Sequence, residues 1–236
     1  MPSFYWEASY ERDFENSVTL TLENRLIDEF RPNFGAIRAE FPMVKSCYLA
    51  AFDPRVQLEC CKQFSDVLIV SETLDYWIGR DRGGVFDVAR HSNGFIVAAR
   101  EFHELWGFEA QPQMSFRRFA DVLESTGLDF LIITFADRGS QVVHPEGTFF
   151  VPAQRCVAVD ATGAGNAYAG GVVGHLTQAR IRDQAQLLDA TALGTALAAL
   201  QVQDFGNRVL REATSDDILA LQREVRNSIT WFDQEC

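Results

Sequence analysis

Short apolar runs without a polar break recur along the chain, at residues 67–70 (VLIV), 94–97 (GFIV) and 130–134 (FLIIT). Such runs suit strands buried on both faces, as in a parallel sheet. Helices are predicted over 54–64, before the first run, and over 81–90 and 116–125, between the runs. Ser115 stands where the last of these needs an N-cap, and Gly127 sits just past its end. Strand and helix in alternation predict an α/β fold with right-handed crossovers. The pattern changes after Phe135. Residues 141–144 and 148–151 flank Pro145-Glu146-Gly147 and predict a hairpin. The last third predicts helices over 164–178, 183–202 and 215–229, the middle one Ala/Leu-rich and therefore expected to be buried. Residues 4–10 read as a strand with alternating aromatics, and 35–41 show no clear preference.

Composition adds mainly exclusions. With 236 residues, 47% hydrophobic and 23% charged, the chain has ordinary globular usage and enough length for one large core. No apolar run is long enough to span a bilayer, and residues 1–10 lack the basic and apolar regions of a signal peptide. A cytoplasmic location is the expectation. A net charge of −12 with scattered Arg and Lys repels nucleic acid. Cys47, Cys60, Cys61, Cys156 and Cys236 have no metal-ligand spacing, so they read as reduced structural thiols. Trp77, Phe102 and Trp106 read as core anchors and His103 as exposed. Glu72 reads as either a cleft residue or a solvated strand end, and Arg80-Asp81-Arg82 as a solvated helix start.

The stretch 157–176, VAVDATGAGNAYAGGVVGHL, carries candidate chemistry. Its pattern predicts an apolar strand ending at Asp160, a small-residue turn at Gly163-Ala164-Gly165, and then a helix. Amides at a helix N-terminus have no internal partner, the helix dipole adds positive charge there, and glycine lets an anion approach the backbone. The competing reading is purely structural: Gly170 and Gly171 permitting close helix packing.

These residues resemble the D-T-x-G-A-G-D signature of the ribokinase (PfkB) family of sugar and nucleoside kinases. Residues 133–140 (ITFADRGS) resemble the strand and G-x-x-G turn that precede the signature in that family. Residues 95–107 (FIVAAREFHELWG) resemble its segment containing N-x-x-E. Residues 53–58, 73–78 and 203–206 resemble a bacterial branch of sugar kinases. The resemblance is colinear over nearly the whole chain. It implies a three-layer αβα fold with a mostly parallel central sheet, as one ribokinase-like domain over 1–236. It also implies phosphoryl transfer from Mg-ATP to a hydroxyl of a sugar or nucleoside.

Carried over by position, Asn166 is the place of the family's Asp base, and Gly163, Ala164 and Gly165 form the anion hole. Asp160, Thr162, Ala136, Gly139, Ala98 and Glu101 fall at nucleotide-binding positions, with Glu101 acting indirectly on Mg²⁺. Three of these depart from the pattern: Asn166 for Asp, Ala98 for Asn, and Ala136 for Gly. An amide is no proton acceptor at neutral pH. The family's N-terminal strand and most of its lid have no counterpart, so the domain is expected to be incomplete there. The uncovered sheet then implies a homodimer or pairing with another chain. The reading is a carbohydrate or nucleoside kinase, weak or inactive as this chain. The alternatives are a non-catalytic nucleotide-binding relative acting through a partner, or a degenerate fragment.

Overall fold

A computed structural model describes residues 5–10, 17–23, 30–179 and 183–232. A separate antiparallel pair, β1 (Tyr5–Tyr10) and β2 (Ser17–Glu23), comes first. Helix α1 (Phe34–Glu40) then leads to β3 (Ser46–Leu49). Three strand–helix repeats follow: α2 (Pro54–Gln63) to β4 (Leu68–Glu72), α3 (Asp75–Arg90) to β5 (Gly94–Ala98), and α4 (Ala99–Trp106) with α5 (Ala120–Thr126) to β6 (Phe130–Thr134). The hairpin of β7 (Gly139–His144) and β8 (Gly147–Pro152) closes this half. The remainder is α6 (Ala164–Gln178), α7 (Gln184–Gln201), α8 (Arg208–Glu212), α9 (Ser215–Ser228) and β9 (Thr230–Phe232).

The main sheet orders its seven strands β3-β4-β5-β6-β7-β8-β9. Strands β3 to β6 pair in parallel, and β6 to β9 pair antiparallel. Both faces are covered, which is what unbroken apolar strands require. In β6 the alternation divides the run. Phe130 and Ile132 pack with Tyr168, Val172 and Leu187 of α6 and α7, while Leu131 and Ile133 pack with Trp77, Phe102 and Phe119 on the other face. This is the three-layer αβα sandwich of the ribokinase-like fold. Among the described residues, no helix is long and apolar enough to cross a membrane.

Several expectations are corrected. Ser115 makes no side-chain cap, and the helix expected over 116–125 is a 3₁₀ turn (Phe116–Arg118) followed by α5. Helix α3 begins at Asp75 rather than 81; Asp81 leaves helical geometry in its middle, and its Oδ1 accepts the Gly84 amide at 2.9 Å. Thus Asp81 does cap a helical segment, but one joined to an earlier turn that the sequence pattern hid. Glu72 is no solvated strand end: its carboxylate accepts the Ala51 amide at 3.0 Å, and burial pushes its pKa up. Cys47, Cys60, Cys61 and Cys156 are free thiols, while Cys236 lies outside the described residues.

The glycines of the last third serve packing as well as chemistry. A Cβ on Gly171 would stand 2.7 Å from Gly194 Cα, and one on Gly194 would stand 2.7 Å from the Tyr168 carbonyl. Helices α6 and α7 therefore cross nearly backbone to backbone. Gly170 faces open space. The structural reading holds for Gly171 and not for Gly170.

Candidate active site

The parallel strands deliver the site at one end of the sheet. Strand β6 ends at Thr134, and the chain turns sharply through Ala136 and Gly139 before returning as β7. Ala136 has φ +48° and Gly139 has φ +122°. The first angle lies in the left-handed region, which penalises any residue with a Cβ by about 1–2 kcal/mol. Ala136→Gly should therefore raise the unfolding free energy by about 0.5–1 kcal/mol, after the unfolded chain's extra freedom is discounted. Urea denaturation of the two proteins measures it.

Residues 157–160 form no strand. They belong to an irregular segment after β8, with Val157 81% exposed, because no neighbouring strand offers them a ladder. Apolar composition alone suggested a strand there. The segment ends in a turn in which Asp160 Oδ1 accepts the Thr162 amide at 2.9 Å. Gly163 follows at φ +86° and starts α6. The Ala164 amide donates back to the Ala161 carbonyl at 3.1 Å, and the Ala167 amide to Gly163 at 2.9 Å. The Gly165 and Asn166 amides are left without a backbone acceptor among the described residues, as first-turn amides are. The donor set of the turn thus excludes Ala164.

A cavity of about 610 Å³ joins the two turns. Ala136, Gly139, Ala164 and Gly165 line it, and Thr195, Ala198 and Ala199 of α7 form its wall. Gly163, Asp160 and Thr162 are not among its lining residues. Asn166 is exposed one turn-position further along. Ala98 and Glu101, at the junction of β5 and α4, are not in the cavity lining, although Ala98 pairs with the lining residue Thr134. Sequence reading missed Arg155, Cys156, Ser140 and Tyr168, which also line the cavity. The Ser140 and Tyr168 hydroxyls are 2.9 Å apart. Arg155 and Cys156 immediately precede the stretch misread as a strand. The small residues of α7 were the signal available for the wall. A second hollow of about 250 Å³, between Phe34, Phe52 and Cys60, has an almost wholly apolar lining.

Glu101 is buried, and its Oε2 accepts the Ala98 amide at 3.0 Å. Burial pushes its pKa up to about 7; the Ala98 amide opposes this, and Asp75 and Glu72 add to it. The folded protein then keeps a proton that the unfolded chain releases between about pH 4.5 and 7. Stability from this group is full at low pH and is lost as pH rises through about 7. Glu101→Gln keeps an acceptor for Ala98 and removes the titration. Wild type should lose about 1–3 kcal/mol between pH 5 and 8, and the variant much less. Urea midpoints across that range measure both slopes. Among the described residues, no group of three or more His, Cys, Asp or Glu side chains converges to hold a metal ion.

The chain aligns with aminoimidazole riboside kinase of Salmonella typhimurium at 38% identity over 80 residues, 34% of this chain and 25% of that protein. The crystal structure of aminoimidazole riboside kinase from Salmonella enterica, complexed with aminoimidazole riboside and an ATP analog, superposes with a TM-score of 0.61 at 22% identity. That match covers 75% of this chain and 62% of the other. Burkholderia thailandensis nucleoside kinase in complex with inosine gives 0.73 at 18% identity, over 94% of this chain and 70% of that one. Fructokinase from Vibrio cholerae O395, bound to fructose, ADP and calcium ion, gives 0.71 at 16%, over 94% and 75%. At these identities the structures establish the fold. The sequence itself matches the model of pfkB family carbohydrate kinases over residues 38–213, and the chain belongs to that family.

Proposed function

We propose that this chain binds ATP or ADP in the 610 Å³ cavity and transfers phosphoryl groups slowly to a hydroxyl of a small sugar or nucleoside. The supporting observation is the cavity itself, which brings the Ala136–Gly139 turn against the first turn of α6. The Gly165 and Asn166 amides supply donors for phosphate oxygens, assisted by the positive end of a 15-residue helix. Gly139 lets this turn lie close against the β8 backbone beside the cavity. The small residues of α7 leave room for a planar base.

Nucleotide therefore fits the residues present. Mg²⁺ fits less directly: it would arrive on the nucleotide's phosphates, the usual mode for this cation, with buried Glu101 contributing field rather than a bond. Magnesium would neutralise phosphate charge. The chain's own contribution is to orient the phosphates and to stabilise negative charge on the transferred group through fixed amides. The acceptor hydroxyl must lose its proton without a carboxylate at position 166. Loss of a positioned base lowers such rates about 10²–10⁴-fold.

Titration calorimetry of the full chain with Mg-ADP and Mg-ATP, joined to a screen of sugar and nucleoside acceptors, tests this reading. The expected result is nucleotide binding with slow turnover on one acceptor class. Binding without turnover on any acceptor would replace the kinase reading with a non-catalytic nucleotide-binding one. Absence of binding at millimolar nucleotide would overturn both.

A further inference from the structure

The segment that carries the α6 turn has little apolar anchorage. Val157 and Val159 are 81% and 41% exposed. Its stretch next to the turn is fastened to the C-terminal end of α7. The Val202 carbonyl accepts the Val159 amide at 2.7 Å and the Asp160 amide at 3.2 Å. One residue earlier, the Gln201 side chain donates from Nε2 to the Thr162 carbonyl at 3.1 Å and to the Gly206 carbonyl at 2.7 Å.

Both acceptors are backbone carbonyls, so the side-chain amide must present its nitrogen to them, and both of its protons are used. Gln201 is only 8% exposed, so water competes poorly for these bonds. The two carbonyls belong to turns with left-handed glycines, Gly163 at φ +86° and Gly206 at φ +69°. A Cβ on Gly163 would stand 3.1 Å from Gln201 Nε2. The side chain thus sits directly against the residue that aims the next amides.

We propose that Gln201 is a positioning residue, clamping the Thr162–Gly163 peptide so that the Gly165 and Asn166 amides share one orientation at the edge of the cavity. This rests on the reading that those amides receive nucleotide phosphate. The geometry supplies the reason. A left-handed glycine is conformationally permissive, and the segment before it lacks a strand ladder, so its orientation needs an external constraint. Beside the Val202 carbonyl, Gln201 supplies such a constraint, one side chain holding two turns separated by about 44 positions along the chain.

The test compares wild type with Gln201→Leu, which keeps apolar volume and removes both donors. Two readouts are taken on the full chain: amide hydrogen exchange without ligand, and the affinities of ADP and adenosine. Exchange at the hydrogen-bonded amides of Thr162 and Ala164 should quicken at least tenfold, while exchange in β6 is unchanged. ADP affinity should fall about tenfold and adenosine affinity less than twofold, because only phosphate reads the turn. Unchanged exchange at the turn, or a parallel loss of both ligands, overturns the clamp. If the exchange difference is present but wild type binds no ADP, the clamp stands and the nucleotide reading falls. Should the Leu variant fail to fold, Gln201→Glu, an isostere with acceptors only, is read in the same way.

Discussion

Asn166→Asp should speed phosphoryl transfer to an alcohol acceptor by about 10²–10⁴-fold, the usual worth of a positioned general base. The site is prepared for the change. Asn166 is exposed in the first turn of α6, and its side chain makes no hydrogen bond among the described residues, so a carboxylate there displaces nothing. The helix dipole favours negative charge at that position, by about 0.3–1 kcal/mol. The variant should therefore be slightly more stable without ligand while turning over faster. The same charge faces the nucleotide's phosphates, so ADP affinity should stay level or fall a little. Steady-state kinetics, thermal unfolding and calorimetry give three readouts with independent signs. A gain in stability with no gain in rate would mean that the acceptor does not reach the α6 turn, and the slow-kinase reading would lose its support.

What the sequence disclosed follows from how local each signal is. Strand β6 was legible because FLIIT is buried on both faces and needs no partner to be recognised. Strand β3 was missed: Ser46–Leu49 is an edge strand, only partly buried at every position, so its pattern carries little contrast. Residues 157–159 erred in the opposite direction. Their apolar composition reflects neither a ladder nor a core, and Val157 faces solvent. Helix α3 was placed late because the charged run at 80–82 marks a kink rather than a start.

The candidate site divides along the same line. The turn at Gly163–Gly165 was legible because a left-handed start to a helix restricts residue type strongly. Ala136 was noted only as a departure from a glycine; its positive φ gives that departure a physical cost. Gln201 and Arg155 were not legible. A glutamine on a buried helix end and an arginine in an irregular segment become meaningful only when the fold brings distant segments together. The family resemblance gathered Ala98 and Glu101 with the turn residues, whereas the cavity lining separates them.

Gly139→Ala should destabilise the protein by about 3–5 kcal/mol and abolish nucleotide binding in whatever fraction remains folded. Gly139 combines φ +122° with ψ −147°, a region populated essentially by glycine, whose cost for other residues is about 1–3 kcal/mol. Sterics add to it. A Cβ would stand 2.1 Å from the Val151 carbonyl oxygen and 2.8 Å from the Ala153 amide nitrogen, both backbone atoms that cannot swing aside. Overpacking of this kind costs about 1–3 kcal/mol more. Relief would require opening the β7–β8 pairing at Gly139 and Pro152, which is the end of the hairpin that borders the cavity. The damage should therefore be local before it is global. Hydrogen exchange should rise first at residues 139–141 and 150–153, ahead of β5 and the parallel half of the sheet. Ala136→Gly, three residues away on the same turn, should move stability in the opposite direction. Opposite signs at the two ends of one turn would show that backbone conformation, rather than loss or gain of contacts, governs this wall of the site. If both variants destabilise, the positive φ of Ala136 is not a source of strain and the turn is held by its neighbours instead.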